Sequence, residues 1–187
     1  MTASRHVSRR HTPLQRNWLA HAFRAPRRLR AGLSDRGSLT QRLQAQYAEF
    51  SVQLLACGLE QPFRDETQAL ALHPATRAYV RNVLLMGDGQ ARVFAHSVLP
   101  RAGLRGGWNG ITRLGSKPLG EALFTNPRIR RLGLTLCHID AHHPLYRAAR
   151  LHTGITVRYL WARRSVFCLN GYPLLVTEVF LPAIDAL

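Results

Sequence analysis

The sequence predicts an α+β domain whose strands pair in an antiparallel sheet. Apolar and polar residues alternate along several segments, which is the pattern of strands with one buried face. Asp88-Gly89 and Asn170-Gly171 each join two such segments, and both dipeptides favour two-residue hairpin turns. Short helical segments lie before and between the strands. That combination is typical of an antiparallel α+β domain.

Three short helical segments are expected. Ser38 can accept a hydrogen bond from the first turn of a helix that runs to Gln46. Pro118 begins a second helix, because proline is tolerated in a first turn. In both helices, leucines four residues apart share one face. A further helical turn is expected near Leu145 to Ala149.

The strands are predicted from alternation of apolar and polar residues and from the two turns. They are Phe50 to Leu54, Tyr79 to Met86, Ala91 to Leu99, Leu132 to Leu136, Val157 to Leu169 and Tyr172 to Leu181. The polar run from Gly58 to Thr76 contains two prolines, which predicts a long loop. Four glycines between Gly103 and Gly110 predict a flexible connection.

Length and composition predict one domain in the cytoplasm. The chain has 187 residues, 46% of them hydrophobic, which is enough to bury one core and short for two domains. No window approaches the roughly 18 consecutive apolar residues that a membrane-spanning helix needs, and no secretory signal is evident. Cys57, Cys137 and Cys168 form neither a disulfide framework nor a metal-ligand pattern.

The charge is strongly positive and concentrated at the amino terminus. The formal net charge is +16, and Lys117 is the only lysine. Because residues 1–34 hold no acidic residue and many arginines, we expect residues 1–35 to form a basic, flexible extension and residues 36–187 the folded domain. An organelle transit peptide has a similar composition. Nucleic acid, anionic lipid and an anionic substrate are all compatible with such a charge.

Two charged residues fall on apolar strand faces. Glu178 shares a predicted face with Leu174, Val176 and Phe180. Burial penalises the charged form of a carboxyl, and such a group suits proton transfer near neutral pH. By the same alternation Arg81 lies on an apolar face, where its fixed set of donors would suit a substrate carboxylate. Glu178 and Arg81 are therefore candidate catalytic residues.

A structural explanation is open at this point, because each charge could be satisfied in a buried ion pair without any chemistry.

The turn dipeptides predict the strand register. Counting from Asn170-Gly171 places Arg163 opposite Glu178, and counting from Asp88-Gly89 places His96 opposite Arg81. Arg163 and His96 are thus additional candidate site residues.

Three segments resemble the chorismate pyruvate-lyase family. They are Leu114 to Gly120 (LGSKPLG), Trp161 to Ser165 (WARRS) and Pro173 to Pro182 (PLLVTEVFLP), and they occur in the family's order. The resemblance runs, with gaps, from about Ser38 to the carboxyl end. It implies a single antiparallel β-sheet with a few helices packed against it, enclosing a buried ligand site.

The resemblance also implies ligand-binding residues. Matched motif by motif, they are Leu39, Arg81, Leu119 and Glu178, so both oddly placed charges are among them. The implied activity is a carbon-oxygen lyase reaction, in which chorismate gives pyruvate and 4-hydroxybenzoate for ubiquinone biosynthesis. No cofactor or metal is implied. The sequence departs from the family at His96, where relatives can carry arginine.

Other functions are weighed against this one. A nucleic-acid-binding or ligand-sensing module on a related fold would need a recognition helix or an aromatic-rich basic face, and neither is evident. A relative that binds the ligand without catalysis is a further alternative. The cluster of His138, Asp140, His142 and His143 matches no defined metal site. We expect a monomer that binds chorismate and no nucleic acid, with weak contact between the basic extension and an anionic membrane surface.

Overall fold

A single six-stranded antiparallel sheet forms the centre of the protein. The computed structural model describes residues 18–20 and 24–184. The strands are β1 (Phe50–Glu60), β2 (Ala78–Gly87), β3 (Gln90–Pro100), β4 (Arg130–Ile139), β5 (Leu160–Leu169) and β6 (Tyr172–Phe180). Their order across the sheet is β1-β2-β3-β6-β5-β4. This confirms the predicted α+β fold with one antiparallel sheet.

Helices cover both faces of the sheet. They are α1 (Arg27–Ser34), α2 (Leu39–Gln46), α3 (Arg64–Ala69), α4 (Arg101–Arg105), α5 (Leu119–Thr125) and α6 (Pro144–Thr153), with a 3-10 turn at Ile111–Arg113. Helices α1, α2 and α5 pack on the face that carries Arg81 and Glu178, here called the front face. Helix α6 packs on the opposite, reverse face. The described helices are all too short to cross a membrane.

Both predicted hairpin turns are present. Asp88 and Gly89 have φ angles of 50° and 72°, and Asn170 and Gly171 have φ angles of 51° and 83°. These left-handed conformations suit the twist of a two-residue hairpin, and they explain the choice of asparagine, aspartate and glycine there. The second hairpin pairs Arg163 with Glu178, as the sequence predicts.

The register of the first hairpin differs from the prediction by one residue. Arg81 lies opposite Ser97, and His96 lies opposite Asn82. The cause is a β-bulge next to the turn, where Leu85 pairs with Val93 but the following residue skips one position on β3. An inserted residue of this kind turns every later side chain to the other face. The prediction that His96 faces Arg81 is therefore wrong.

The predicted loop from Gly58 to Thr76 is wrong in part. Strand β1 continues to Glu60, and α3 follows it. The Glu66 carboxylate accepts a hydrogen bond from the Phe63 N–H at 3.0 Å and so satisfies a donor at the start of α3. The polar residues of α3 are typical of a loop in the sequence, yet Asp65 and Glu66 are buried. The glycine-containing connection after β3 likewise begins with α4.

Part of the predicted amino-terminal extension is folded. Residues 24–34 are folded, because α1 buries Leu29 and Leu33 against the front face together with Ala25 just before it. These three apolar residues are four apart, which places them on one side of the helix. The prediction of a flexible segment is therefore wrong for residues 24–34. Residues 1–17 and 21–23 lie outside the described residues.

Candidate active site

A cavity lies between the front face of the sheet and helices α2 and α5. Its volume is about 40 Å³, and it is partly open to solvent. All four residues implied by the resemblance line it, with Leu39 and Leu119 contributed by the helices and Arg81 and Glu178 by the strands. The structure thus brings together residues that are up to 139 positions apart, from Leu39 to Glu178.

Arg81 is a buried cation that has no carboxylate partner among residues 18–20 and 24–184. Its side chain projects from β2, and the residue is 4% exposed. Nη2 donates to the backbone oxygens of Gly115 and Lys117, each at 2.9 Å. Nε has no hydrogen-bond partner among the described residues. Burial lowers the pKa of Arg81 from its usual value. A buried donor with no partner favours an anionic ligand at this position.

Glu178 is held by Arg163 rather than by Arg81. The Arg163 Nε donates to Glu178 Oε2 at 2.5 Å. Arg163 is 1% exposed, and its Nη1 also donates to the backbone oxygens of Gly32 and Asp35, at 2.7 and 3.0 Å. The ion pair therefore fixes the carboxylate and also links it to the connection between α1 and α2. The structural alternative of an ion pair thus holds for Glu178, whose partner is Arg163, and the structure shows no ion pair between Arg81 and Glu178.

Small residues on β3 create the space between Arg81 and Glu178. Strand β3 lies between β2 and β6, with Ser97 opposite Arg81 and Ala95 opposite Glu178. Two strand spacings and an offset of two residues along β3 separate the two charged residues, or about 12 Å between backbones. Ser97 and Ala95 both line the cavity. Short side chains at the centre, with longer ones on either side, leave a recess between Arg81 and Glu178.

Helices α2 and α5 meet closely above this recess. A Cβ atom added at Gly120 would lie 2.5 Å from Thr40 Oγ1, which is closer than real Cβ contacts allow. Gly120 therefore permits the close approach of the two helices that carry Leu39 and Leu119. The hydroxyl of Ser38 accepts a hydrogen bond from the Gln41 N–H and caps α2 beside this contact, as predicted.

His96 does not reach the cavity. It points to the reverse face, where Nδ1 is 2.6 Å from Asn82 Oδ1 and Nε2 is 3.1 Å from Glu66 Oε1. Its ring also stacks on Phe63, with centroids 5.2 Å apart. Arg164 points to the same side and pairs with Asp65 at 2.8 Å. We call Asp65, Glu66, His96 and Arg164 the reverse-face network. The prediction of His96 as an additional site residue is wrong, because the bulge in β3 turns its side chain to the reverse face.

Arg131 is the cavity residue that sequence reasoning missed. Its Nε donates to Ser165 Oγ at 2.9 Å and its Nη1 to the Arg36 backbone oxygen at 2.6 Å. The alternation of leucines predicts that Leu132 faces inward. A bulge between Arg131 and Gly133 reverses this, so Leu132 is 60% exposed and Arg131 lines the cavity. Gly133, an isolated glycine inside the strand pattern, is the sequence signal that could have indicated this bulge.

Comparison with known proteins supports the resemblance. The family model described as "Chorismate lyase" matches residues 17–185. This chain belongs to the chorismate lyase family. A relative from Thiobacillus denitrificans, named "Probable chorismate pyruvate-lyase", is 63% identical over 98% of this chain and 98% of its own. A protein with the same name from Methylobacillus flagellatus is 44% identical over 89% of this chain and 93% of its own.

Solved structures share the fold at low sequence identity. The PhnF C-terminal domain has a TM-score of 0.57 at 15% identity and covers 80% of this chain and 94% of that one. A GntR-family transcriptional regulator from Bacillus cereus has a TM-score of 0.54 at 11% identity and covers 72% and 93%. At such identities the likeness shows the fold alone. The fold of this member of the chorismate lyase family thus also occurs in regulators.

Proposed function

We propose that this protein is a chorismate pyruvate-lyase, which converts chorismate into 4-hydroxybenzoate and pyruvate. The observation that carries the proposal is the pair of Arg81 and Glu178 in one cavity. Within the described part of the chain Arg81 has no anionic partner, and Glu178 is held in place by Arg163. Membership of the chorismate lyase family supports it. As the resemblance implies, the 4-hydroxybenzoate would serve ubiquinone biosynthesis.

Arg81 anchors the ring carboxylate of the substrate in this proposal. Its Nε has no hydrogen-bond partner among the described residues, and Nη2 of the same guanidinium is already fixed by two backbone oxygens. Such a pre-positioned donor binds a carboxylate with little loss of side-chain freedom. Leu39 and Leu119 form the apolar walls and exclude water from the ring.

In this proposal Glu178 contacts the ring hydroxyl and assists the transfer of the proton that the ring loses. In the reaction the ether bond to the ring breaks, and the ring carbon that bears the hydroxyl loses its proton. The released electrons complete the aromatic ring, and the enolate of pyruvate takes up a proton. Atoms and charges balance, because a dianion gives two monoanions. Aromatisation supplies most of the driving force, so the enzyme chiefly holds a reactive conformation and assists one proton transfer.

Mixing the purified protein with chorismate tests this function. We expect 4-hydroxybenzoate and pyruvate to appear in equal amounts, at a rate proportional to protein concentration and far above the rate with heat-denatured protein. Binding of chorismate without product would instead indicate a ligand sensor or a catalytically inactive relative. Salt-dependent DNA binding without turnover would favour a nucleic-acid-binding module.

The basic amino terminus supports a second, separate proposal. Arg5, Arg9, Arg10 and Arg16 lie near the amino terminus of the sequence, and each cation near an anionic surface contributes about 1 kcal/mol of attraction. We expect the full chain to co-sediment weakly with vesicles that contain anionic lipid. The variant with these four arginines changed to glutamine should bind less. Equal binding of the two proteins would contradict the idea. A cytoplasmic location and a monomeric state stay predictions from the sequence.

A further inference from the structure

The cavity holds more positive charge than its single carboxylate can balance. Three guanidinium groups line it, from Arg81, Arg131 and Arg163, together with Glu178. Arg163 is paired with Glu178. Among the described residues, neither Arg81 nor Arg131 has a carboxylate within salt-bridge distance. Two cations therefore remain for a ligand, which suits an anion with two negative charges.

The guanidinium of Arg131 is fixed in place by its neighbours. Nε and Nη1 are used by Ser165 and by the backbone oxygen of Arg36. The plane lies near two aromatic rings, with its central carbon 5.2 Å from the centroid of Phe167 and 5.6 Å from that of Phe124. Among the described residues Nη2 has no hydrogen-bond partner. Arg131 is thus held with one donor nitrogen free.

The surroundings of Arg131 favour an additional anion. Burial lowers its pKa, and the nearby positive charge of Arg163 lowers it further, whereas Glu178 raises it. Glu178 is already engaged by Arg163 at 2.5 Å. An anion beside Arg131 would relieve the cost of burying this charge. In the order of strands, Arg131 on β4 and Arg81 on β2 lie on opposite sides of Glu178 on β6.

We propose that Arg131 binds the second carboxylate of a dianionic substrate, the one on the side chain that leaves. The inference rests on the proposed function, in which Arg81 binds the ring carboxylate and Glu178 the ring hydroxyl between them. Arg131 then distinguishes substrate from aromatic product. Chorismate engages both arginines, whereas 4-hydroxybenzoate retains a single carboxylate and engages Arg81 alone.

The substitution Arg131→Gln tests this inference. Loss of one charged hydrogen bond is expected to raise the KM for chorismate about tenfold or more. The Kd for 4-hydroxybenzoate, measured by calorimetry, should change less than about twofold, because the product makes no contact with Arg131. Arg130 is the matched control, since it is the neighbouring arginine and is exposed. Arg130→Gln should leave both constants unchanged.

Two results would overturn the inference. One is an unchanged KM for Arg131→Gln, and the other is equal weakening of substrate and product. Arg131→Lys guards against a folding defect, because it keeps the charge and the stem over the aromatic rings while losing the fork of donors. It should show a smaller rise in KM than Arg131→Gln, with product affinity again unchanged. A rise as large for lysine as for glutamine, together with weaker product binding, would indicate a structural role.

Binding of simple carboxylates separates this inference from the proposed lyase activity. If the wild-type protein makes no 4-hydroxybenzoate from chorismate, the proposed function fails. Calorimetry with benzene-1,3-dicarboxylate and with benzoate still tests Arg131 in that case. The Arg131→Gln variant should lose affinity for the dicarboxylate and keep its affinity for benzoate. Equal affinities of wild type and variant for the dicarboxylate would refute the second-carboxylate site on its own.

Discussion

Glu178→Gln should lower kcat for chorismate by about two to four orders of magnitude, the usual contribution of a positioned acid or base. An amide has nearly the shape of the carboxylate but cannot take up or hand over a proton. Its oxygen can still accept the hydrogen bond from Arg163, so the cavity should keep its form. Initial rates of 4-hydroxybenzoate formation measure the effect.

The control for this substitution is Glu121→Gln. Glu121 lies on the exposed side of α5, the helix that carries Leu119, and the change there removes the same charge without touching the cavity. We expect normal turnover for Glu121→Gln. The thermal midpoint of Glu178→Gln shows whether the fold has survived. Near-normal kcat for a folded Glu178→Gln protein would remove Glu178 from the proton transfer.

Among the substitutions proposed here, Glu66→Ala should destabilise the protein most. It should lower the free energy of unfolding by about 3 kcal/mol or more. Glu66 is 0% exposed and lies 3.1 Å from the His96 ring nitrogen and 3.7 Å from Arg164. It also accepts the Phe63 N–H at the start of α3. Its removal leaves the Phe63 N–H and the His96 ring without their acceptor and takes a buried counter-charge away from Arg164, and each of these losses is costly. Urea denaturation followed by circular dichroism measures the difference.

Glu60→Ala is the matched control for Glu66→Ala. Glu60 is exposed at the end of β1, only six residues earlier, and surface substitutions usually change stability by less than about 0.5 kcal/mol. If both variants unfold at the same urea concentration as the wild type, the reverse-face network contributes little to stability. Its buried charges would then have to be satisfied in some other way.

Local sequence signals were sufficient for most of the fold. The two turn dipeptides and the alternation of strands predict both hairpins and the pairing of Arg163 with Glu178, all of which the structure confirms. Arg81 and Glu178 could be recognised because a charge at an apolar strand position is costly and therefore informative. The family resemblance then added Leu39 and Leu119, which line the same cavity.

The errors have a common physical origin in features that depend on tertiary contacts. A single inserted residue in β3 turned His96 to the reverse face, and one in β4 turned Arg131 into the cavity. The inserted residue in β3 is Arg92, which does not mark a bulge, whereas Gly133 at the bulge in β4 is a signal that the leucine alternation outweighed. Helix α3 was missed because its buried polar residues find their partners on distant strands, which composition alone does not reveal.

The position of β6 has a consequence for biosynthesis. This strand is the last of the six in the chain, yet it lies in the interior of the sheet between β3 and β5. Until it emerges from the ribosome, β3 and β5 both present open hydrogen-bonding edges, and such edges recruit other nascent chains. A premature stop before Tyr172 would therefore produce two separate half-sheets prone to aggregation, rather than an intact but inactive protein.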